Sequence, residues 1–285
     1  MADEREDPKV IEEADVESSQ AVGAADAWYP PARRDFFVLR QLVLKDFKLK
    51  YRRSALGVVW SVLNPLLMMV VMAVVFTQMM RGADDSIPNF PLYLIIGNTA
   101  FTMMSDATNA GLRSIIDAAP LLKKVRINRK VFPVEKVLFS CLNYLLSMIA
   151  VALVMAYYRW IPTLHVLWFP VFLAFFIAFC VGLSMLLATA SVFFRDVIHL
   201  WGVVLTAWTY ATPLFYSINI LPGWLQSLER FNPMYLFVTF LRRILLWRVE
   251  PSLDVVLGCG ACALVMLAVG WLVFRRNEHK FILYI

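Results

Sequence analysis

None of the 11 glycines in this 285-residue chain is followed by lysine, so the phosphate loop that ends in Gly-Lys-Ser/Thr is missing. Any ATP-driven role must draw its energy from another polypeptide, and no cofactor is expected in this chain. Histidine is scarce. His165, His199 and His279 fall near the ends of different apolar runs, giving neither a metal pair at helical spacing nor a partner for a nucleophile. No catalytic cluster and no metal site emerge. The four cysteines (Cys141, Cys180, Cys259 and Cys262) lie inside apolar segments, where a thiol packs as a small hydrophobe. Cys259 and Cys262 have CxxC spacing, but with no second pair and no histidine nearby the spacing reads as packing.

Charge is short as well, at 17% of residues, while 60% are hydrophobic against roughly 45 to 50% in soluble domains. That excess, with a mean hydropathy of +0.67, excludes an ordinary soluble fold and leads to an all-α membrane protein. Nine of the 21 acidic residues stand before Trp28, so residues 1–32 are expected to be an acidic, disordered cytoplasmic tail. This start lacks the basic residues and apolar stretch of a secretory signal. The remainder is basic, but its Lys and Arg flank apolar runs, which marks orientation signals rather than a nucleic-acid surface. No nucleic-acid partner is expected.

From Arg34 to Arg53, Phe36, Leu39, Val43, Phe47 and Tyr51 gather on one helical face, and Arg34, Lys45, Lys48 and Arg52 on another. This predicts an amphipathic helix along the cytoplasmic interface. Six spans follow by length and lack of charge: 57–80, 92–112, 137–158, 166–194, 197–216 and 253–274. Pro65 predicts a kink in the first. With this layout 21 of the 27 Lys and Arg fall on one side, which places both termini in the cytoplasm. Between Tyr216 and Leu253 the prolines Pro222 and Pro233 break two short apolar pieces carrying Arg242 and Arg243. They predict an outer re-entrant helical hairpin between the fifth and sixth spans, with the arginines at the headgroups.

The second span is crowded with Asn98, Thr99, Thr102, Ser105, Asp106, Thr108 and Asn109, groups that need a protein or water partner at membrane depth. Helix-to-helix hydrogen bonding and the wall of a polar conduit both account for them. Trp201, Trp208, Tyr210, Phe215 and Tyr216 cluster toward the outer end of the fifth span, either as an interfacial belt or as a wall on which sugar rings stack.

Five stretches in register resemble ABC-2 type permeases, in particular exporters of teichoic acid, O-antigen and related polysaccharides. They are Tyr51 to Trp60 running on to Asn64-Pro65, Leu121 to Pro133, Phe193 to Val197, Thr212 to Ile218, and Asn232-Pro233-Met234. Asn128 stands where that family would have a proline. The resemblance covers about Asp35 to the C-terminus and implies that residues 33–285 form an ABC-2 type transmembrane domain. It implies a bacterial cell-membrane permease that pairs with a second copy of itself and with two ATPase subunits, which hold the ATP and magnesium.

By the same resemblance, Leu121, Leu122, Lys123, Lys124, Arg126, Arg129 and Phe132 form the loop that docks into the ATPase, and Arg195 and Asp196 a smaller contact. A lipid-linked polysaccharide would then pass a channel lined by Trp60, Asn98, Phe101, Thr102, Ser105, Asp106, Trp208, Tyr210, Phe215 and Tyr216. Export of a drug, lipid or other small molecule, or a membrane-embedded lipid-modifying activity, are the competing readings.

Overall fold

Apolar runs of this length fold as helices because a backbone in hydrocarbon must satisfy its own polar groups. The computed structural model describes residues 31–52, 56–79, 87–125 and 127–284, and among these no strand occurs. The acidic tail before residue 31, the end of the first expected span and Arg126 lie outside the described residues.

In chain order the helices are α1 (Pro31–Tyr51), α2 (Val59–Met79), α3 (Phe90–Asp117) and the short α4 (Ala119–Leu122). Then come α5 (Val131–Tyr157), a 3-10 turn (Leu164–Trp168), α6 (Phe169–Phe193) and α7 (Val197–Ala211). Two short helices follow, α8 (Gly223–Glu229) and α9 (Pro233–Arg242), the latter running into a π turn at Arg243–Trp247. The chain closes with α10 (Leu253–Asn277) and α11 (Phe281–Tyr284).

Among the described residues four stretches are long and apolar enough to cross a membrane: Val59–Phe76, Val131–Tyr157, Leu164–Phe193 and Leu253–Lys280. The other two expected spans stand apart for opposite reasons. Helix α3 has 28 residues, or about 42 Å of helix, but the polar groups between Asn98 and Asn109 dilute it. Helix α7 is apolar but has 15 residues, about 22 Å against a hydrocarbon layer of about 30 Å. It ends at Ala211 because Pro213 follows, short of the expected Tyr216. Helix α2 runs on through Pro65.

Helix α3 is the axis of the bundle, packed against α2, α5, α6, α7 and α9, and Leu92 to Gly97 are all buried. It starts where the Asn89 side chain accepts a hydrogen bond from the Leu92 amide at 3.1 Å, with Pro91 just inside. Helices α6 and α10 cross tightly at two glycines. A Cβ on Gly270 would lie 1.9 Å from the Gly182 carbonyl oxygen, so no other residue fits at that crossing. A phenylalanine cluster of Phe172, Phe176, Phe179, Phe237 and Phe240 then locks α9 onto α6. Helix α2 is the contrast. Val59, Leu67, Val70, Val71 and Val74 stay exposed, an apolar face left uncovered among the described residues.

The two short helices expected between the fifth and sixth spans form, as α8 and α9. Arg242, however, does not sit at a surface with the headgroups. It is 2% exposed, drawn inward because backbone carbonyls there need a donor.

Candidate functional site

Three helices converge on a polar cavity of about 260 Å³. Helix α2 supplies Asn64, Pro65 and Met68, and α3 supplies Asn98, Thr99, Thr102, Met103 and Asp106. Helix α5 completes the wall with Ser140, Asn143, Tyr144 and Ser147. The i, i+3, i+4, i+7 spacing of these four puts them on one face of α5, turned toward α3. The rim is cross-linked to the start of the bundle: the Tyr51 hydroxyl donates to Asn143 Oδ1 at 2.7 Å and also pairs with the Ser61 hydroxyl. Ser147 donates to the Ser61 carbonyl at 3.1 Å.

The polar residues of α3 divide between helix-to-helix bonding and the open cavity. Thr108 is consumed by packing: it donates to the Met104 carbonyl at 2.8 Å and receives the Trp201 indole N–H at 3.1 Å. Thr99 reaches the cavity, but its hydroxyl bonds the Ile95 carbonyl at 2.7 Å. Ser105 only receives a long bond from Asn109, at 3.4 Å. Asn98, Thr102 and Asp106 face the cavity, and among the described residues none of their side chains makes a hydrogen bond.

The candidate aromatic residues are not gathered there. Phe101 is buried, and Phe215 is buried in a stack on Phe76 with ring centroids 5.6 Å apart. Trp208 donates to Asn232 Oδ1 at 2.8 Å. Asn232 also bonds Thr212 Oγ1 at 3.1 Å and Glu229 Oε2 at 2.9 Å, and it caps α9 through the Met234 amide. One asparagine thus ties α7, the following turn, α8 and α9 together. Burial raises the Glu229 carboxyl above the ordinary carboxylate range, and its bond from Asn232 opposes that rise. Tyr216 turns its hydroxyl back onto the Tyr210 carbonyl at 3.0 Å. Only Trp60 and Tyr210 present exposed rings.

Arg242 lies on the opposite flank of α3. Its guanidinium donates to the carbonyls of Pro213 (2.8 Å), Leu214 (3.0 Å) and Tyr93 (3.2 Å), and sits 3.3 Å from the Tyr93 ring centroid. Gly97 makes room, since a Cβ there would meet Arg242 Nη2 at 2.5 Å. The Tyr93 hydroxyl closes the knot on the Tyr216 carbonyl at 2.7 Å.

At the other end of the bundle, the connection from α3 to α5 has a tip and a base. The tip, from Leu121 to Val125, projects an exposed apolar and basic surface with Lys123 and Lys124 exposed and Leu122 half-buried. The base is anchored. Arg129 donates to the Glu278 carbonyl, Lys130 pairs with Glu278 at 3.7 Å, and Asn128 bonds Asp35 at 2.7 Å. Phe132 is buried with Ile115, Met185, Phe274 and Phe281. Lys136 bridges Asp46 of α1 to the buried Glu135. Arg195 and Asp196 are exposed in the turn between α6 and α7.

The ABC-2 type transporter family matches residues 38–246, and that stretch holds the cavity, the Arg242 knot and the projecting loop. The chain belongs to this family. Among relatives of this ABC-2 protein, the O-antigen export system permease protein RfbA of Myxococcus xanthus is 32% identical over 86% of this chain and 94% of its own length. The protein of the same description from Klebsiella pneumoniae is 27% identical over the same shares. The capsule polysaccharide export inner-membrane protein BexB of Haemophilus influenzae is 23% identical over 69% of this chain and 74% of its own.

The ABC-2 cavity contains five polar residues that the sequence alone did not assign to a site: Asn64, Ser140, Asn143, Tyr144 and Ser147. The signal was present. Four polar groups at i, i+3, i+4, i+7 inside an apolar helix need a common partner, and α3 offered the complementary set.

Proposed function

We infer that this multi-pass ABC-2 protein is the permease half of an ATP-driven exporter of a lipid-linked cell-surface polysaccharide. The observation that carries this is the 32% identity to an O-antigen export permease across 94% of that protein's length. Partial matches of a fragment would not constrain function in this way; a match along the whole permease does.

In this reading the protein sits in the bacterial cytoplasmic membrane with both termini in the cytoplasm. Helices α3 and α7 act as the second and fifth of six spans, and α8 with α9 forms an outer re-entrant hairpin. The exposed apolar face of α2 and the exposed residues of α7 meet a second copy of the chain or lipid. ATP and magnesium belong to two partner ATPase subunits. Closure of these subunits presses on the Leu121 to Val125 tip, and the base bonded to α1 and to Glu278 carries that push into the bundle. Arg195 and Asp196 provide the smaller contact, and the glycan passes along the exposed Trp60 and Tyr210.

The test is reconstitution with the ATPase and a labelled lipid-linked glycan. ATP-dependent delivery of the glycan across the bilayer is expected. Delivery of a small amphipathic drug but not of the glycan would overturn the cargo, and chemical change of a lipid by the chain alone would overturn the permease role.

A further inference from the structure

We propose that the cavity between α2, α3 and α5 binds a single neutral, hydroxyl-rich ring, a pyranose unit of the exported glycan. The proposal rests on the glycan reading above and adds a binding site within one protomer.

Three observations carry it. The cavity wall holds hydrogen-bonding groups open to a ligand: among the described residues, the side chains of the exposed Asn64, Thr102 and Asp106, the half-buried Asn98 and the buried Ser140 make no hydrogen bond. Tyr144 also lines the cavity and is 2% exposed, and among the described residues its buried hydroxyl has no partner. A buried polar group left unmet points to something that meets it. The second observation is chemical. Two asparagine amides, three hydroxyls and one carboxylate alternate donors and acceptors at close range, which matches the paired hydroxyls of a sugar ring better than a uniformly accepting phosphate. Among the described residues Asp106 is the one acidic residue in the lining and no lysine or arginine lines it, so the wall offers a phosphate no cation. The third is size. At about 260 Å³ the cavity lies just under the roughly 300–1,000 Å³ of sites that hold drug-sized ligands, which suits one ring and not a chain of them.

Placed this way, the site would hold one residue of the polymer while the remainder moves, and it would discriminate by hydroxyl pattern. A ring lacking a hydroxyl would leave the same groups unpaired, which is the strong form of specificity.

The test uses the permease with its ATPase in lipid nanodiscs and ligand-observed saturation-transfer NMR. The probes are the methyl pyranosides of glucose, galactose, mannose and N-acetylglucosamine, with inorganic phosphate and sodium chloride as competitors. At least one pyranoside is expected to show transfer to its ring protons. Transfer is expected to fall by at least about fivefold in Asp106→Asn and in Tyr144→Phe, each of which removes a group the ring would bind. It is expected to hold in Tyr157→Ser, a substitution at an exposed residue away from the cavity. Where Asp106→Asn fails to co-purify with the ATPase, Tyr144→Phe decides, because it deletes a single oxygen. Three outcomes overturn the proposal: no transfer from any pyranoside, transfer unchanged in Tyr144→Phe, or displacement of the sugar by phosphate or sodium. Glycan export by the same wild-type complex is measured alongside. Export without pyranoside binding removes this site and leaves the exporter; absence of export removes the exporter itself.

Discussion

Arg242 and Asp106 are both charged side chains on the flanks of α3, and the bundle treats them in opposite ways. Arg242 is enclosed by three carbonyls and the Tyr93 ring, so its charge is spent on holding the turn after α7 to α3. Asp106 accepts no hydrogen bond from the described residues and opens to a cavity where the Asn98 and Thr102 side chains are likewise unbonded among those residues. A charge satisfied by the chain's own backbone is fastening; a charge left facing space is available to a ligand. The projecting loop repeats the contrast, with Arg129 spent on the Glu278 carbonyl while Lys124 projects from the exposed tip.

The largest effect is expected at the fastening. Arg242→Met removes three charge-assisted bonds and the contact with the Tyr93 ring; the Pro213 carbonyl keeps the Tyr93 hydroxyl at 3.1 Å, while the Leu214 carbonyl loses its donor, at about 1–3 kcal/mol for such a group. A loss of about 3 kcal/mol or more is expected, read as a lowered unfolding temperature of the purified complex and low abundance in cells. Gly97→Val is expected to do the same by driving a side chain into Nη2. An unfolding temperature equal to wild type in both variants would break the comparison on the Arg242 side.

Next comes the projecting loop. Replacing Lys123 and Lys124 together by Glu is expected to cut substrate export by about tenfold or more while membrane insertion and stability hold, because both side chains are exposed. ATPase activity measured with and without the permease reads the coupling directly. Unchanged export would show that the tip does not dock.

Asp106→Asn is expected to change stability by less than about 0.5 kcal/mol, since no bond within the described chain is lost and the shape is kept. A fall as large as that of Arg242→Met would mean that Asp106 is a fastening too, and the distinction drawn here would collapse.

Much of this arrangement was legible in the chain. Absence of a phosphate loop, the apolar runs, the two short helices around Asn232-Pro233 and the polar crowding of α3 all follow from composition and spacing. What could not be read was which partner each polar group finds. Thr108 and Asp106 look alike as polar residues in a span, yet one meets the Trp201 indole and the other a cavity. That division depends on the rotation of α3 against α5, α6 and α7, set by packing far away in sequence. Trp208 went the same way: an indole that suits a channel wall is instead bonded to Asn232, because a buried N–H next to an unfilled carbonyl will take it. Arg242 reads as a headgroup anchor in sequence because its three acceptors come from segments distant along the chain.

The smallest effect is expected from deleting residues 1–27. These carry nine of the chain's 21 acidic groups, and they precede the family match, which begins at residue 38. Among the described residues, α1 is held to the bundle at Asp35 with Asn128 and at Asp46 with Lys136, and Tyr51 anchors its far end to Asn143. Deletion removes none of them, so export within about twofold of wild type is expected, as for changes away from packed or bonded features. Export and co-purification of the ATPase are measured together. Loss of assembly would mean that the acidic segment contributes a fastening of its own, and the contrast between spent and available charge would then extend to the N-terminus, with its acids on the spent side.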